Sequence, residues 1–171
     1  MIKFEDATGD VIELFEKVKT NLFPELNDAL FKLVWRNKKK GKKDGLVFAE
    51  VMSPGEFTRY LTSEEANEEN GFDFIVIIDK LIYNNIDEED KVRLLRHELR
   101  HCVYNPSKED RKSQYGLRDH TVQDFYEDVA IEAQAGGDPQ WKERILEIGL
   151  SLYEEQAEKK KAEKKLKKKQ K

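Results

Sequence analysis

The sequence predicts an α+β domain in which a small, three-stranded sheet is backed by helices. The periodic segments run in the order helix, hairpin, strand and then three helices, which is an α+β layout. The 171 residues suit one domain of ordinary size, and a hydrophobic content of 38% suffices for a single modest core. No internal repeat divides the chain.

Each element has its own signal. In GDVIELFEKVKTNLF, Val11, Leu14, Phe15, Val18 and Leu22 recur at helical spacing, with Asp10 placed to cap the helix and Pro24 to stop it. ALFKLVWRN and LVFAEVMS are short β-branched and aromatic runs, and KKKGKKDG between them suits the exposed end of a hairpin. Pro54 and Gly55 close the second run. The stretch from Glu56 to Asn70 is polar and acidic, and EFTRYLTSEEANEEN suits a helical turn. FDFIVIID, bounded by Gly71 and Asp79, reads as a buried strand.

Asp87 then caps a helix with Glu88 and Glu89 in its first turn, where negative charge suits the helix dipole. That helix is expected to reach Tyr104 and to bury Val92, Leu95, Leu99, Cys102 and Val103. NPSKEDRKSQYGLRD is a loop by composition. A helix from His120 or Thr121 turns Val122, Phe125, Val129 and Ile131 partly inward and ends at Gly136-Gly137. The last helix starts at Pro139 and gives way to a lysine-rich tail, dividing the chain into a domain of residues 1–153 and a tail of residues 154–171.

Charged residues make up 39% of the chain, for a net charge of only −4. The average hides an asymmetry: residues 159–171 hold nine lysines and one glutamate, so an acidic body carries a basic tail. The tail and the loop RNKKKGKKDG, with its lysines from Lys38 to Lys43, make nucleic acid a candidate partner, although neither has the interleaved aromatics that base stacking needs. Cys102 is the single cysteine, which excludes an internal disulfide and points to a reducing compartment, the cytoplasm. The first ten residues lack the apolar core of a secretory signal, and no run approaches the ~18 apolar residues that span a bilayer. No membrane role is expected.

The most specific chemical signal is RHELRHC, residues 96–102. At 3.6 residues per turn, His97 and His101 share a helix face and can direct two imidazoles at one point, as a tetrahedral zinc requires. Glu98 beside them can act as a base without binding metal, the H-E-x-x-H arrangement of zinc metalloproteases. His120 is the preferred third ligand, because a loop of sufficient length brings it back toward the motif helix. Asp124 and Glu127 compete for that role, and Asp124 otherwise accepts a hydrogen bond from a ligating ring. The opposing reading is a solvated face of a highly charged helix, with Glu98 paired to an arginine. Cys102 falls on the apolar stripe and reads as core.

The strand FIVIID, the helix EEDKVRLLRHELRHC and the segment LRDHTVQDFYEDV together resemble the phage metallopeptidase family, which looks like a compact relative of the SprT-like zincins. The resemblance covers roughly residues 10 to 135. It implies a minimal zincin-like domain, a zinc ion, host cytoplasm as the setting, and a third ligand from the segment containing His120, Asp124 and Phe125. Thr121 departs from the pattern, standing where aspartate is common.

These residues imply a zinc metallopeptidase acting on a protein or peptide substrate: Glu98 takes a proton from water and returns it to the leaving amine. Tyr115, Arg118 and Tyr126 are candidates for stabilising the oxyanion, although each reads more readily as surface or packing. The alternative is a zinc-stabilised, non-catalytic binding protein that engages a host protein or nucleic acid.

Overall fold

The computed structural model of the chain describes residues 3–41, 45–120 and 125–169. Strand β1 (Phe4–Asp6) is followed by helix α1 (Asp10–Leu22), a 3-10 turn at Pro24–Leu26, and strands β2 (Phe31–Arg36) and β3 (Ala49–Met52). Helix α2 (Glu56–Ala66) leads to β4 (Phe74–Asp79), α3 (Lys80–Tyr83) and α4 (Glu88–His101). Beyond these come β5 (Cys102–Tyr104), α5 (Arg111–Gln114), β6 (Tyr115–Leu117), α6 (Tyr126–Glu132) and α7 (Trp141–Lys169).

The fold is α+β, but the main sheet has four strands, in the order β1-β2-β4-β3, and β5 and β6 form a second, two-stranded sheet. The three-strand expectation lacked β1, whose sequence FED has no apolar alternation to reveal it. The predicted hairpin is also corrected. β2 and β3 do not pair with one another; β4 lies between them, parallel to β2 and antiparallel to β3. The reason is burial: Phe74, Val76 and Ile78 are each 1% exposed or less, so β4 occupies the centre, where both edges are hydrogen-bonded.

Helix α1 buries Val11, Phe15 and Val18 along one face, and its cap is Gly9, with φ 73°, rather than Asp10. α2 is a full helix where a turn was expected. Its buried Arg59 donates to the Pro54 and Asn70 carbonyls and so anchors a helix with few apolar contacts. Asp87 caps α4 as predicted, its side chain accepting from the Asp90 N–H at 2.8 Å. The helix stops at His101, three residues early, because Cys102–Tyr104 pairs with Tyr115–Leu117 across a segment that reads as loop from its composition.

Helix α6 likewise begins at Tyr126, later than expected. α7 runs without a break from Trp141 through residues 153 and 158 to Lys169. Its distal half is built of alanine, glutamate, glutamine, leucine and lysine, and their strong helix propensity outweighs repulsions of only ~0.2–0.5 kcal/mol per lysine pair. Among the described residues, no helix is long and apolar enough to cross a membrane.

The core ties these elements together through a run of rings. Phe15 meets Phe31 at 5.0 Å, Phe31 meets Phe74 at 5.0 Å, and Phe74 meets Tyr115 at 6.0 Å, joining α1, β2, β4 and β6. On α4, Leu94, Leu95 and Leu99 join this core while Arg93 and Arg96 are buried on another side. Burying those guanidiniums requires acidic partners, and α6 supplies them. Arg96 donates to Asp128 and Glu132, Arg93 to Glu132, and Arg100 to Asp128. This network holds α6 against the helix that carries the histidine motif.

Candidate metal centre

His97 and His101 stand one turn apart at the C-terminal end of α4, and the β5–β6 hairpin returns the chain to them. After β6, the Arg118 N–H donates to the His101 carbonyl at 2.8 Å, and Arg118 Nε donates to the Arg100 carbonyl at 2.7 Å. These bonds lay the segment across the end of the helix and bring His120 to the motif. Its Nε2 is 2.9 Å from His97 Nε2. One ligand atom from each of the three histidines lies within 4.8 Å of the others.

The neighbours orient the rings. His101 Nδ1 lies 2.8 Å from the Arg118 carbonyl, which can only accept, so Nδ1 carries the proton and Nε2 keeps its lone pair. Burial, more than any other influence, lowers the pKa of His101 and so favours the neutral ring. His97 Nδ1 faces Asp128 Oδ2 at 3.5 Å, an ion-pair distance longer than a hydrogen bond, on the side from which a carboxylate commonly orients a ligating imidazole. Phe125, fully buried, lies 4.8–5.4 Å from all three rings and backs the cluster with an apolar surface.

Bonds of ~2.0–2.1 Å in a tetrahedral zinc site place nitrogens ~3.3 Å apart. Three nitrogens within 4.8 Å of one another, one pair at 2.9 Å, are close enough for one metal ion to draw all three together as the rings turn. Neutral rings with fixed tautomers are the form that binds a divalent ion.

Glu98 is 5% exposed and lines the same cleft of about 420 Å³. Burial pushes its pKa up to about 7, and Glu50 on β3 adds to the rise, against the opposing effects of His97, Lys142 and the Val51 N–H. A carboxyl near neutrality can take and give back a proton at ordinary pH. The cleft runs between α4 and β3, with Trp141 and Lys142 at the start of α7 also contributing to its walls.

The remaining predicted residues separate cleanly. Asp124, with Thr121 and Val122, lies outside the described residues. Glu127 is outside the histidine cluster and pairs with Arg118 at 3.2 Å. Cys102 is buried, its thiol pushed up by burial, in keeping with a packing role. Tyr115 belongs to the aromatic core and Tyr126 is 64% exposed, so neither lines the cleft. Arg118 does line it, with its guanidinium engaged by Arg100 and Glu127. Val129 and Ile131, expected partly inward, are 52% and 38% exposed.

Sequence reasoning missed Asp128, Glu50, Val51 and Lys142. For Asp128 a signal existed: arginines at 93, 96 and 100 on α4 match acids at 128 and 132 on α6, two complementary stripes at helical spacing. Glu50, Val51 and Lys142 reach the cleft only through the packing of β3 and α7, which no local pattern announces.

Comparison with curated proteins and with solved structures gives no match. The model of a family described as "Putative phage metallopeptidase" matches residues 2–148, beyond both ends of the stretch that carried the resemblance. That span takes in the whole sheet, the motif helix and all three histidines, and the chain belongs to the phage metallopeptidase family.

Proposed function

We propose that this protein is a zinc-dependent peptidase of minimal zincin-like architecture, hydrolysing peptide bonds with His97, His101 and His120 as ligands and Glu98 as general base. The observation that carries the reading is the convergence of three histidines on one point beside a buried carboxyl in a cleft. Zinc in such a site supplies Lewis acidity toward a water and a peptide carbonyl.

The chain's own residues do the rest. His101, with its Nδ1 proton committed to the Arg118 carbonyl, and His97, facing Asp128, present their other nitrogens to the ion. Glu98 accepts a proton from the attacking water on a carboxylate oxygen and delivers it to the nitrogen of the leaving amine. Glu50 favours the proton-bearing form of Glu98, and the Val51 N–H favours the carboxylate. An extended peptide substrate reaches this pair along the cleft between β3 and α4.

Elemental analysis of untagged protein is expected to find one zinc per chain, and none after reconstitution would sink the site. Glu98→Gln is expected to keep fold and metal while lowering peptide hydrolysis by ~10²–10⁴. Equal turnover by the variant and the parent on a confirmed substrate would refute the mechanism and favour the non-catalytic binding reading.

A further inference from the structure

Two basic stretches more than 100 residues apart in sequence meet on a surface away from the histidine cluster. Lys38 and Lys39, just beyond the end of β2, line a cavity of about 500 Å³ together with Tyr153 and Lys160 of α7. Lys39 Nζ lies 5.9 Å from the centre of the Tyr153 ring. Tyr153 is itself fixed, its hydroxyl donating to Asp79 at 2.7 Å. The alignment then continues along the helix. Tyr153, Ala157, Lys160, Lys164 and Lys167 recur at i, i+4, i+7, i+11 and i+14, which places them on one face. From Ala157 to Lys167 every residue is exposed.

We infer that Lys38, Lys39 and the Lys160, Lys164 and Lys167 face of α7 form one surface that binds the phosphate backbone of nucleic acid. The lysines follow one another in a line, with successive α7 members about one helical turn, ~4.5–6 Å, apart along the axis. A linear polyanion can follow such a row, and a phosphate on it relieves repulsion between lysines at i,i+4. Glu154 is the one acidic residue lining the cavity, so its cations outnumber its anions.

The composition of the surface favours this partner over others. Protein interfaces are depleted in lysine and anchored by aromatic or apolar side chains, whereas Leu166 is the one large hydrophobic exposed on the distal helix. For the same reason the helix has no apolar face to sink into a membrane. Lysines without stacking rings bind phosphate without reading bases, so binding is expected to be independent of sequence and steeply dependent on salt.

The test is fluorescence anisotropy of a short labelled DNA duplex with the full-length protein over a series of salt concentrations. K38E/K39E and K160E/K164E/K167E are each expected to weaken binding at least about tenfold. Each reversed lysine is expected to lower the slope of log affinity against log salt by about 0.9. The milder K38Q/K39Q is expected to shift in the same direction, with circular dichroism and metal content matching the parent.

The decisive arm is the loop variant, whose tail is intact. Parent-like affinity and slope there would overturn a shared surface. A parent that fails to bind duplex at low salt, or prefers polyglutamate or phosphatidylserine vesicles, would overturn the nucleic-acid assignment. His97→Ala is expected to bind duplex as the parent does, so this inference and the peptidase reading fail independently.

Discussion

Asp128 shows how much one side chain can be asked to do. It is 1% exposed; its Oδ1 accepts from Arg96 and Arg100 at 2.8 and 2.7 Å, and its Oδ2 faces His97. Burial would raise its pKa, but His97 and the two guanidiniums outweigh that and hold the carboxyl below its usual range. Removing it leaves Arg96 with Glu132 alone and takes an acidic partner from Arg100, and breaking such a buried pair typically costs ~3–5 kcal/mol. Asp128→Ala is therefore expected to destabilise the fold by that order and, in chelator competition, to weaken zinc binding by ~10–100-fold. The gentler Asp128→Asn separates the two effects; an unchanged zinc affinity in both variants would end its role as the group that orients His97. His120→Ala should likewise cost zinc affinity heavily while Glu127→Ala leaves it within a few fold, and the reverse result would move the third ligand to the carboxylate.

At the scale of elements, α7 joins two roles with different tolerances. Its first half packs closely: a Cβ at Gly149 would lie 2.7 Å from Leu46 Cδ1 and 2.9 Å from Ile82 Cδ1. Gly149→Leu is expected to overpack this contact and cost ~1–3 kcal/mol in urea unfolding. Since Leu46 also lines the cleft, a shift there would reach the candidate site. From Ala157 to Lys167 the second half is exposed, with Ala157 and Lys160 lining a cavity beside Lys38 and Lys39. Deleting residues 159–171 is accordingly expected to leave Tm and zinc content unchanged. A fall of several degrees on calorimetry would mean that the distal helix supports the fold.

Across the whole molecule, α4, α6 and α7 are joined by buried charge as well as by apolar contact. Arg144 on α7 donates twice to the buried Asp90, and Glu132 takes both Arg93 and Arg96. For Glu132, burial alone would raise the pKa, but Arg96, the Asp138 N–H and Arg93 together lower it. A carboxyl whose folded pKa lies below its unfolded value stabilises the protein above the unfolded value, and that contribution fades as pH falls through the folded one. Asp73 and Asp79 work in the opposite sense, burial raising both, so acid relieves a cost at those positions. The clean measurement is therefore a difference. Glu132→Gln is expected to be less stable than the parent near neutrality, with the gap beginning to close only as pH drops below the ordinary glutamate value of ~4.3. A gap that stays constant with pH would remove Glu132 from the acid response.

Local physics determined much of this protein from the sequence alone. The 3.6-residue period set α1 and α4, Asp87 set the α4 cap, the apolar run FIVIID set the buried strand, and the spacing of His97, Glu98 and His101 put three chemical groups on adjacent turns. These features were legible because each depends on residues within a turn or two of one another. The tertiary structure decided what depends on distant partners. β4 separated β2 from β3 because a strand whose core-facing residues are fully buried gains most at the centre of a sheet. The short runs CVY and YGL became β5 and β6 only by pairing with each other, and that hairpin delivered His120 to α4. Asp128 came to face His97 because α6 packs through buried arginines. Lys38 and Lys160 became neighbours through the path of α7. In each case the stabilising contact joins residues far apart in the chain, and no periodicity within one segment encodes where its partner will be.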